Sequence, residues 1–498
     1  MPREFLGLTD AIMKIDTLAR VLRHISLGAL LLFATSAPWA GEPVVIGEKF
    51  QIESKVLAET RSYVIYTPDS YKSGKDAYPV LVLQDAENNF AHTRATVHVL
   101  SGNGRIPAMI VVGINNTDRA RDMTPSKPAT DFGGMPWTGS AGGADKFLSF
   151  IADELLPTID RNYRTRPYRV LIGHSFGGLF AVYALVNRPE VFKGYVVISP
   201  SLWWDDQILL KAAQPFFAAH KDLRADLYMS VGNEGDTMLG GAWRLSAVLE
   251  ESKLPDLRWQ FKRYPEEDHG TVPYMSTYEG LQAIFAGYRI ADPIALFEEG
   301  GLPAFERHYA AVSKRMGYTV PVPARAYGDT LSYLSSRERF AEAEEIGKKM
   351  LEQDPKNTWA LAALAQVAAK QKNDPKAIGY LTQVLQLYPG STQARAMLVK
   401  YKVDVDKIVP SLELSPKTVT PYVGEYRFKD ELMKVAYEKG ELTAISWAGK
   451  RELRSVTETK FYCVDIEVAL QFRKDNRGRV VGLTAEWLDH GDEYKKVK

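Results

Sequence analysis

The 498-residue chain has 45% hydrophobic and 25% charged residues, the balance of ordinary globular protein, and length for about three domains. Its 62 Lys and Arg against 61 Asp and Glu leave a net charge of +1, which gives no electrostatic footprint for nucleic acid, and no basic stripe restores one. A single cysteine, Cys463, excludes an intramolecular disulfide, thiolate zinc and iron–sulfur ligation, and the eight scattered histidines show no HExxH spacing, so no metal or cofactor is expected.

Residues 1–40 read as an export signal. Arg20 and Arg23 supply positive charge, residues 25–34 (ISLGALLLFA) a short apolar run, and Ala37 and Ala40 small cleavage residues. The run is shorter than the roughly 20 apolar residues that span a bilayer, so no membrane span is expected after cleavage. A start at Met13 gives a leader of more ordinary length, and an uncleaved anchor is the alternative. Export of a chain without disulfides is compatible with a bacterial periplasm; the expected location is periplasmic or secreted.

Over residues 41–290 strand-like and helix-like segments alternate. Strands are predicted over 59–66, 80–84, 109–114, 169–173, 194–199, 227–231 and 259–264. Helices are predicted over 146–156, ended by Pro157, and over 177–187. The strand runs are apolar on both faces, as in a mostly parallel sheet covered by helices, so the reading is a doubly wound α/β domain. The loop over 125–143, rich in Gly, Pro, Ser and Thr, interrupts the alternation, and a loop of that length is usually functional.

Residues 300–403 repeat. Asp354-Pro355 recurs as Tyr388-Pro389, Ala343 as Ala377 and Leu364 as Leu398, all at an offset of 34, and Pro321 marks a degenerate earlier copy. Six helices in three pairs fit between Pro303 and Lys402. The segment resembles the tetratricopeptide family, and that resemblance implies a concave surface for a protein partner. In the last part, 412–498, residues 433–437, 442–445 and 480–487 alternate in hydropathy and Asp475-Asn476-Arg477-Gly478 makes a turn, so a small antiparallel β-sheet or barrel is predicted.

The chemistry centres on Gly173-His174-Ser175-Phe176-Gly177, a G-x-S-x-G string that leaves a predicted strand and opens a predicted helix. A sharp turn there lifts the Ser175 hydroxyl above the C-terminal edge of the sheet, and the helix N-terminus favours developing negative charge. The bland alternative is a glycine-rich turn with a capping serine. A hydroxyl nucleophile needs a base and an orienting acid. His269, in Glu266-Glu267-Asp268-His269-Gly270 after the last strand, is the candidate base. His174 should point away, and His92 and His98 precede the serine. The acid is Glu234 or Asp236, both just after the strand over 227–231; Glu234 is favoured by its reach. The backbone N–H groups of Phe176 and Ala86 (or Asp85) are the candidate oxyanion donors. Trp203 and Trp204 are candidate lining of an acyl or aryl pocket, with core packing as the alternative. Arg121 and its neighbour Arg119 are candidate contacts for an anionic substrate, with an ion pair to Asp118 or Asp122 as the alternative.

Arg121-Asp122-Met123-Thr124-Pro125, the glycine-flanked Ser175 string, Ser199-Pro200-Ser201-Leu202-Trp203-Trp204, Gly232-Asn233-Glu234 and Asp268-His269-Gly270 together resemble the putative esterase family of α/β-hydrolases. That family includes enterochelin (ferric siderophore) esterases, S-formylglutathione hydrolase, feruloyl and acetylxylan esterases and mycolyl transferases. The resemblance covers about residues 59–288 and is nearest to siderophore-esterase-like proteins. It implies an α/β-hydrolase fold and ester hydrolysis through an acyl-enzyme, with no metal. Tyr422-Val423-Gly424-Glu425-Tyr426 and the Gly478 turn resemble a β-rich domain at the C-terminus of some bacterial serine hydrolases. The expectation is an exported serine esterase acting on siderophore-type or other aryl or acyl esters. The alternatives are an acyltransferase, a peptidase, and an interaction protein that uses the helical repeats with the α/β domain as platform.

Overall fold

Val80, Leu81, Val82 and Leu83 are all buried, so consecutive side chains on opposite faces of one strand both lack solvent. That requires a sheet covered on two sides. The computed structural model describes residues 43–130, 135–447, 449–487 and 491–497, so the expected export segment lies outside the described residues. Eight strands form the sheet: β1 (Glu48–Ser54), β2 (Glu59–Tyr66), β3 (Tyr78–Leu83), β4 (Ile110–Ile114), β5 (Thr165–His174), β6 (Gly194–Ile198), β7 (Ala225–Val231) and β8 (Leu257–Arg263). Their order is β1-β2-β4-β3-β5-β6-β7-β8. The first two are antiparallel to their neighbours and the rest run parallel. β1 (EKFQIES) has too few apolar residues to announce itself in sequence, and it lies half-exposed at the sheet's edge.

The main helices of this unit are α1 (Ala86–Gly102), α2 (Phe176–Asn187), α3 (Trp204–Ala219), α4 (Asp236–Ser252) and α5 (Val272–Ile284). α2, α3, α4 and the helical stretch over 144–162 pack on the face bearing Val80, Val82, Leu171 and Met229. α1 and α5 cover the face bearing Leu81, Leu83, Ile172 and Val196. The stretch over 144–162 differs from expectation. Pro157 does not end it: a π-helical turn, Phe150–Leu155, precedes the proline, which sits in the first turn of Leu156–Asn162. A proline at a helix start loses no internal bond, and the wider turn before it absorbs the irregularity.

Six helices follow: α6 (Pro293–Met316, kinked at Gly300–Gly301), α7 (Ala324–Ser336), α8 (Phe340–Gln353), α9 (Thr358–Lys370), α10 (Asp374–Leu387) and α11 (Thr392–Lys400). The residues that recur in sequence, Ala343 and Ala377, Leu364 and Leu398, are each 0–1% exposed, so the period records which side chains face the next helix. The repeats continue the core of the α/β unit: Phe297, Phe305, Tyr309 and Val312 lie in one apolar cluster with Tyr168, Ile284 and Phe285. His308 Nε2 donates to the Gly287 carbonyl (2.8 Å) and Arg315 Nη1 to that of Ala286 (2.7 Å). Arg166, near the N-terminal end of β5, lies over the Tyr318 ring at 5.2 Å.

The C-terminal part is a closed antiparallel barrel of β9 (Gly424–Phe428), β10 (Glu431–Glu438), β11 (Glu441–Ser446), β12 (Gly449–Ser455), β13 (Lys460–Cys463), β14 (Ala469–Lys474), β15 (Val480–Glu486) and β16 (Gly491–Lys496), in which β16 pairs back onto β9. Tyr426, Leu470, Phe472, Leu483 and Cys463 fill its interior. Arg395 of α11 lies over the Tyr462 ring at 4.3 Å and joins repeats to barrel. No helix among the described residues is long and apolar enough to cross a membrane.

Because the α/β unit and the repeats share one cluster, they should unfold together. Phe305→Ala, at a fully buried position of that cluster, is expected to cost about 3–5 kcal/mol. Loss of tertiary structure by near-UV and of helix by far-UV circular dichroism should shift downward in parallel; independent transitions would show that the cluster does not couple them.

Candidate active site

At the end of β5 the chain turns into α2 within one residue. Ser175 carries that turn at φ 61° and ψ −115°, a conformation that side chains strain to adopt. The glycines around it are required by contact. A Cβ on Gly173 would lie 2.0 Å from the Gly177 carbonyl oxygen, and one on Gly178 2.7 Å from that of Ile198. Ser175 makes no side-chain cap bond to α2, which removes the capping-serine alternative. Its Oγ lies 3.5 Å from Ser201 Oγ.

Glu234 and His269 meet. His269 Nδ1 donates to Glu234 Oε2 at 2.5 Å, and Glu234 Oε1 accepts from Ser199 Oγ and from the Gly232 N–H at 3.0 Å. The Glu234 side chain is 3% exposed. Burial raises its pKa, but the hydrogen bonds from His269 and Ser199 outweigh burial and hold the carboxyl below its ordinary range. Asp236 is exposed at the first residue of α4, so the structure places Glu234, not Asp236, against the imidazole. Glu234 on Nδ1 leaves Nε2 as the basic nitrogen. The His269 ring packs on the His174 ring, centroids 4.5 Å apart, next to Ser175 in sequence. His174 therefore does not leave the site as expected. Ser175 and His269 themselves are not hydrogen-bonded here, a bond that free enzymes often leave long until substrate binds.

Ala86 and Phe176 each open a helix, where the first N–H has no partner within the helix. Asp85, before Ala86, sits in the left-handed region at φ 54° and is buried. Arg119 ties the two turns together. It holds Asp85 through Nε (2.6 Å) and Nη2 (3.0 Å), donates from Nη2 to the His174 carbonyl (3.0 Å), and lies over the Phe176 ring. Its partner is thus Asp85, not Asp118 or Asp122.

Two expected substrate contacts are corrected. Arg121 is bound to Glu59 (3.0 and 2.6 Å) and to Asp122 (2.7 Å), in a network that also neutralises the buried Arg61, so its guanidinium is engaged in the fold. Trp204 is 0% exposed, its indole N–H donates to the Ser126 carbonyl (3.1 Å), and it packs edge-on against Trp137 and Phe176; it is core. Trp203 is half-buried, with its ring 6.3 Å from that of Phe176, and stays beside the site. Sequence reasoning gave no role to Ser199 or Ser201. Both stand in the Ser199–Trp204 string, but only three-dimensional contact distinguishes them from loop serines.

A family model described as putative esterase matches residues 54–269, and a tetratricopeptide repeat model matches residues 334–401. The siderophore enterobactin esterase of Emericella nidulans is 31% identical over 33% of this chain and 67% of its own length. The chain belongs to the putative esterase family of carboxylic ester hydrolases. The ferri-bacillibactin esterase BesA of Bacillus subtilis is 32% identical over 33% of this chain and 62% of its own. Among solved structures, an IroE-like serine hydrolase from Shewanella oneidensis is similar with a TM-score of 0.54 at 28% identity, covering 61% of this chain and 99% of that one. The chain therefore has the α/β-hydrolase fold expected from its motifs, followed by tetratricopeptide-like repeats and the barrel.

Burial pushes His174 down to about 4, helped by the charge of His269, and burial alone does the same to His92, which packs on Tyr274. Each stays neutral in the folded protein while the unfolded chain takes up a proton below about pH 6.5. The stability this represents is intact above pH 6.5 and is lost as pH falls toward 4, up to about 3 kcal/mol per histidine. The unfolding midpoint should drop between pH 7.5 and 4.5, and His92→Gln should flatten that dependence; an unchanged slope would exclude His92 as a contributor.

Proposed function

We propose that this chain is an exported serine esterase that opens carboxylic esters through a Ser175–His269–Glu234 triad and an acyl-enzyme. The observation that carries the reading is the Glu234–His269 pair, buried at its acid end, beside a serine whose backbone strain serves no cap. Ser175 Oγ attacks the ester carbonyl carbon while His269 Nε2 takes its proton. The carbonyl oxygen becomes an oxyanion that the Phe176 and Ala86 N–H groups receive. The imidazolium, stabilised by Glu234, gives the proton to the leaving alkoxide as the C–O bond breaks. Water then repeats the sequence on the acyl-serine and restores the free serine. In this reading substrate turns the Ser175 hydroxyl from Ser201 toward His269.

The substrate class is supported by relatives whose names carry siderophore esters, the siderophore enterobactin esterase and a siderophore triacetylfusarinine C esterase of Aspergillus fumigatus. Trp203 and Phe176 offer aromatic faces, which suits aryl esters. The repeats give a protein partner a docking surface, and the N-terminal 40 residues direct export.

Ser175→Ala and His269→Ala should each reduce turnover of p-nitrophenyl butyrate by about 10⁴-fold or more, and Glu234→Gln by about 10²–10⁴-fold. Catecholate siderophore esters should be cleaved with higher kcat/KM than feruloyl or acetyl-sugar esters. Equal activity of Ser175→Ala and the wild type would reject the triad, and a preference for acetyl-sugars would reject the substrate class.

A further inference from the structure

Glutamate is a demanding choice for a triad acid. It has one more rotatable bond than aspartate, and an unrestrained carboxylate would spend much of its time away from the imidazole. Something must fix the plane of the Glu234 carboxylate. The backbone N–H of Gly232 reaches Oε1 at 3.0 Å, from the same short loop that carries Glu234. The other donor comes from elsewhere: Ser199 Oγ, one residue past β6, also bonds Oε1. With two donors on Oε1, Oε2 is the oxygen aimed at His269 Nδ1.

Ser199 reaches that position at a conformational cost. Its φ is 41°, in the left-handed region, although it is not glycine and although Pro200 follows, which ordinarily drives the preceding residue to extended backbone. The residue is 0% exposed. Its backbone N–H donates to the Ser230 carbonyl on the next strand at 2.7 Å, which holds the strained turn in place. The Ser230 hydroxyl is itself bonded to Ser276 at 2.7 Å, so it does not stand in for Ser199 at the carboxylate. Backbone strain in a fully buried serine, with its hydroxyl spent on the glutamate that holds the histidine, is the pattern of strain stored at a functional site.

We propose that Ser199 is a positioning residue of the hydrolytic reaction: its hydroxyl holds the Glu234 carboxylate in the plane that orients His269. The proposal rests on the triad reading above. Ser199 touches neither substrate nor the reacting atoms, so its effect passes entirely through Glu234. Two consequences separate this from a role in packing. Loss of the hydroxyl should lower kcat and leave KM nearly alone. It should also cost nothing further once the carboxylate is gone.

The test is a double-mutant cycle on the full chain with p-nitrophenyl butyrate: wild type, Ser199→Ala, Glu234→Gln and the double variant, with Ser199→Gly and Ser175→Ala alongside. Ser199→Ala should lower kcat by about 10- to 100-fold with KM within about twofold. Ser199→Gly, which adopts a positive φ freely and so keeps the fold without the Cβ penalty that alanine carries there, should lose as much. The double variant should be no slower than Glu234→Gln alone. Multiplicative losses in the double variant, a Ser199→Gly enzyme as fast as wild type, or a Ser199→Ala loss that falls on KM would each overturn the proposal. If Ser175→Ala and Glu234→Gln collapse as expected while the Ser199 variants do not, the triad stands and the Ser199 assignment alone fails. If Ser175→Ala stays active, both fall.

Discussion

The contact between the backbones of Gly173 and Gly177 sets the geometry on which the site depends. The last residues of β5 and the first turn of α2 run so close that even a methyl group on Gly173 would collide with the Gly177 carbonyl. That closeness forces the single intervening turn to be made at Ser175, with a backbone angle side chains resist. The same turn puts the hydroxyl at the sheet edge and leaves the first N–H of α2 unbonded beside it. Arg119 extends the constraint sideways, because it grips both the His174 carbonyl and Asp85, the residue just before the other free N–H. The proposed nucleophile, the proposed oxyanion donors and their spacing thus descend from one close approach of strand and helix.

The rest of the molecule is arranged so as not to disturb that edge. The repeats attach beside the N-terminal end of β5, where Arg166 covers Tyr318. Ser175 stands at the other end of the same strand, roughly 30 Å away along extended chain. The attachment is a continuous apolar cluster with few polar links, so the repeats are built into the α/β unit and do not hang from it. A truncation after Ile290 would therefore strip cover from Phe285 and Ile284, and point substitutions are the sounder way to separate the two parts.

Chain-order logic read well in the sequence. Ser175, Glu234 and His269 each follow a strand that carries its own apolar signature, so a motif and two loop positions were enough to place them at one edge. The 34-residue period was legible for a similar reason: each recurring Ala or Leu faces its neighbour in the same way. Side-chain commitments were not legible. Arg121 lies one turn from the site, yet its direction depends on Glu59, which is 62 residues away in the chain. Trp204 and Trp203 are adjacent in sequence and opposite in fate because the start of α3 sends one inward and leaves the other beside Phe176. The π turn before Pro157 and the polar strand β1 also left no trace in the pattern, since both are held by contacts made far along the chain. Glu154 of that turn caps the loop after β1, accepting from the backbone N–H groups of Lys55 and Val56.

The barrel interior holds the chain's one thiol. Cys463 is 3% exposed, and burial pushes its pKa up to about 12. The strands pair around the full ring, so among the described residues no sheet edge lies beside it, and Cys463 shares a small cavity inside the barrel with Met433, Leu470 and Tyr494. A thiol kept protonated and buried is a poor nucleophile toward disulfides. With one cysteine and that thiol buried, this sequence forms no internal bridge for the redox poise of its surroundings to make or break, and its sulfhydryl should exchange with disulfides only slowly while the barrel holds.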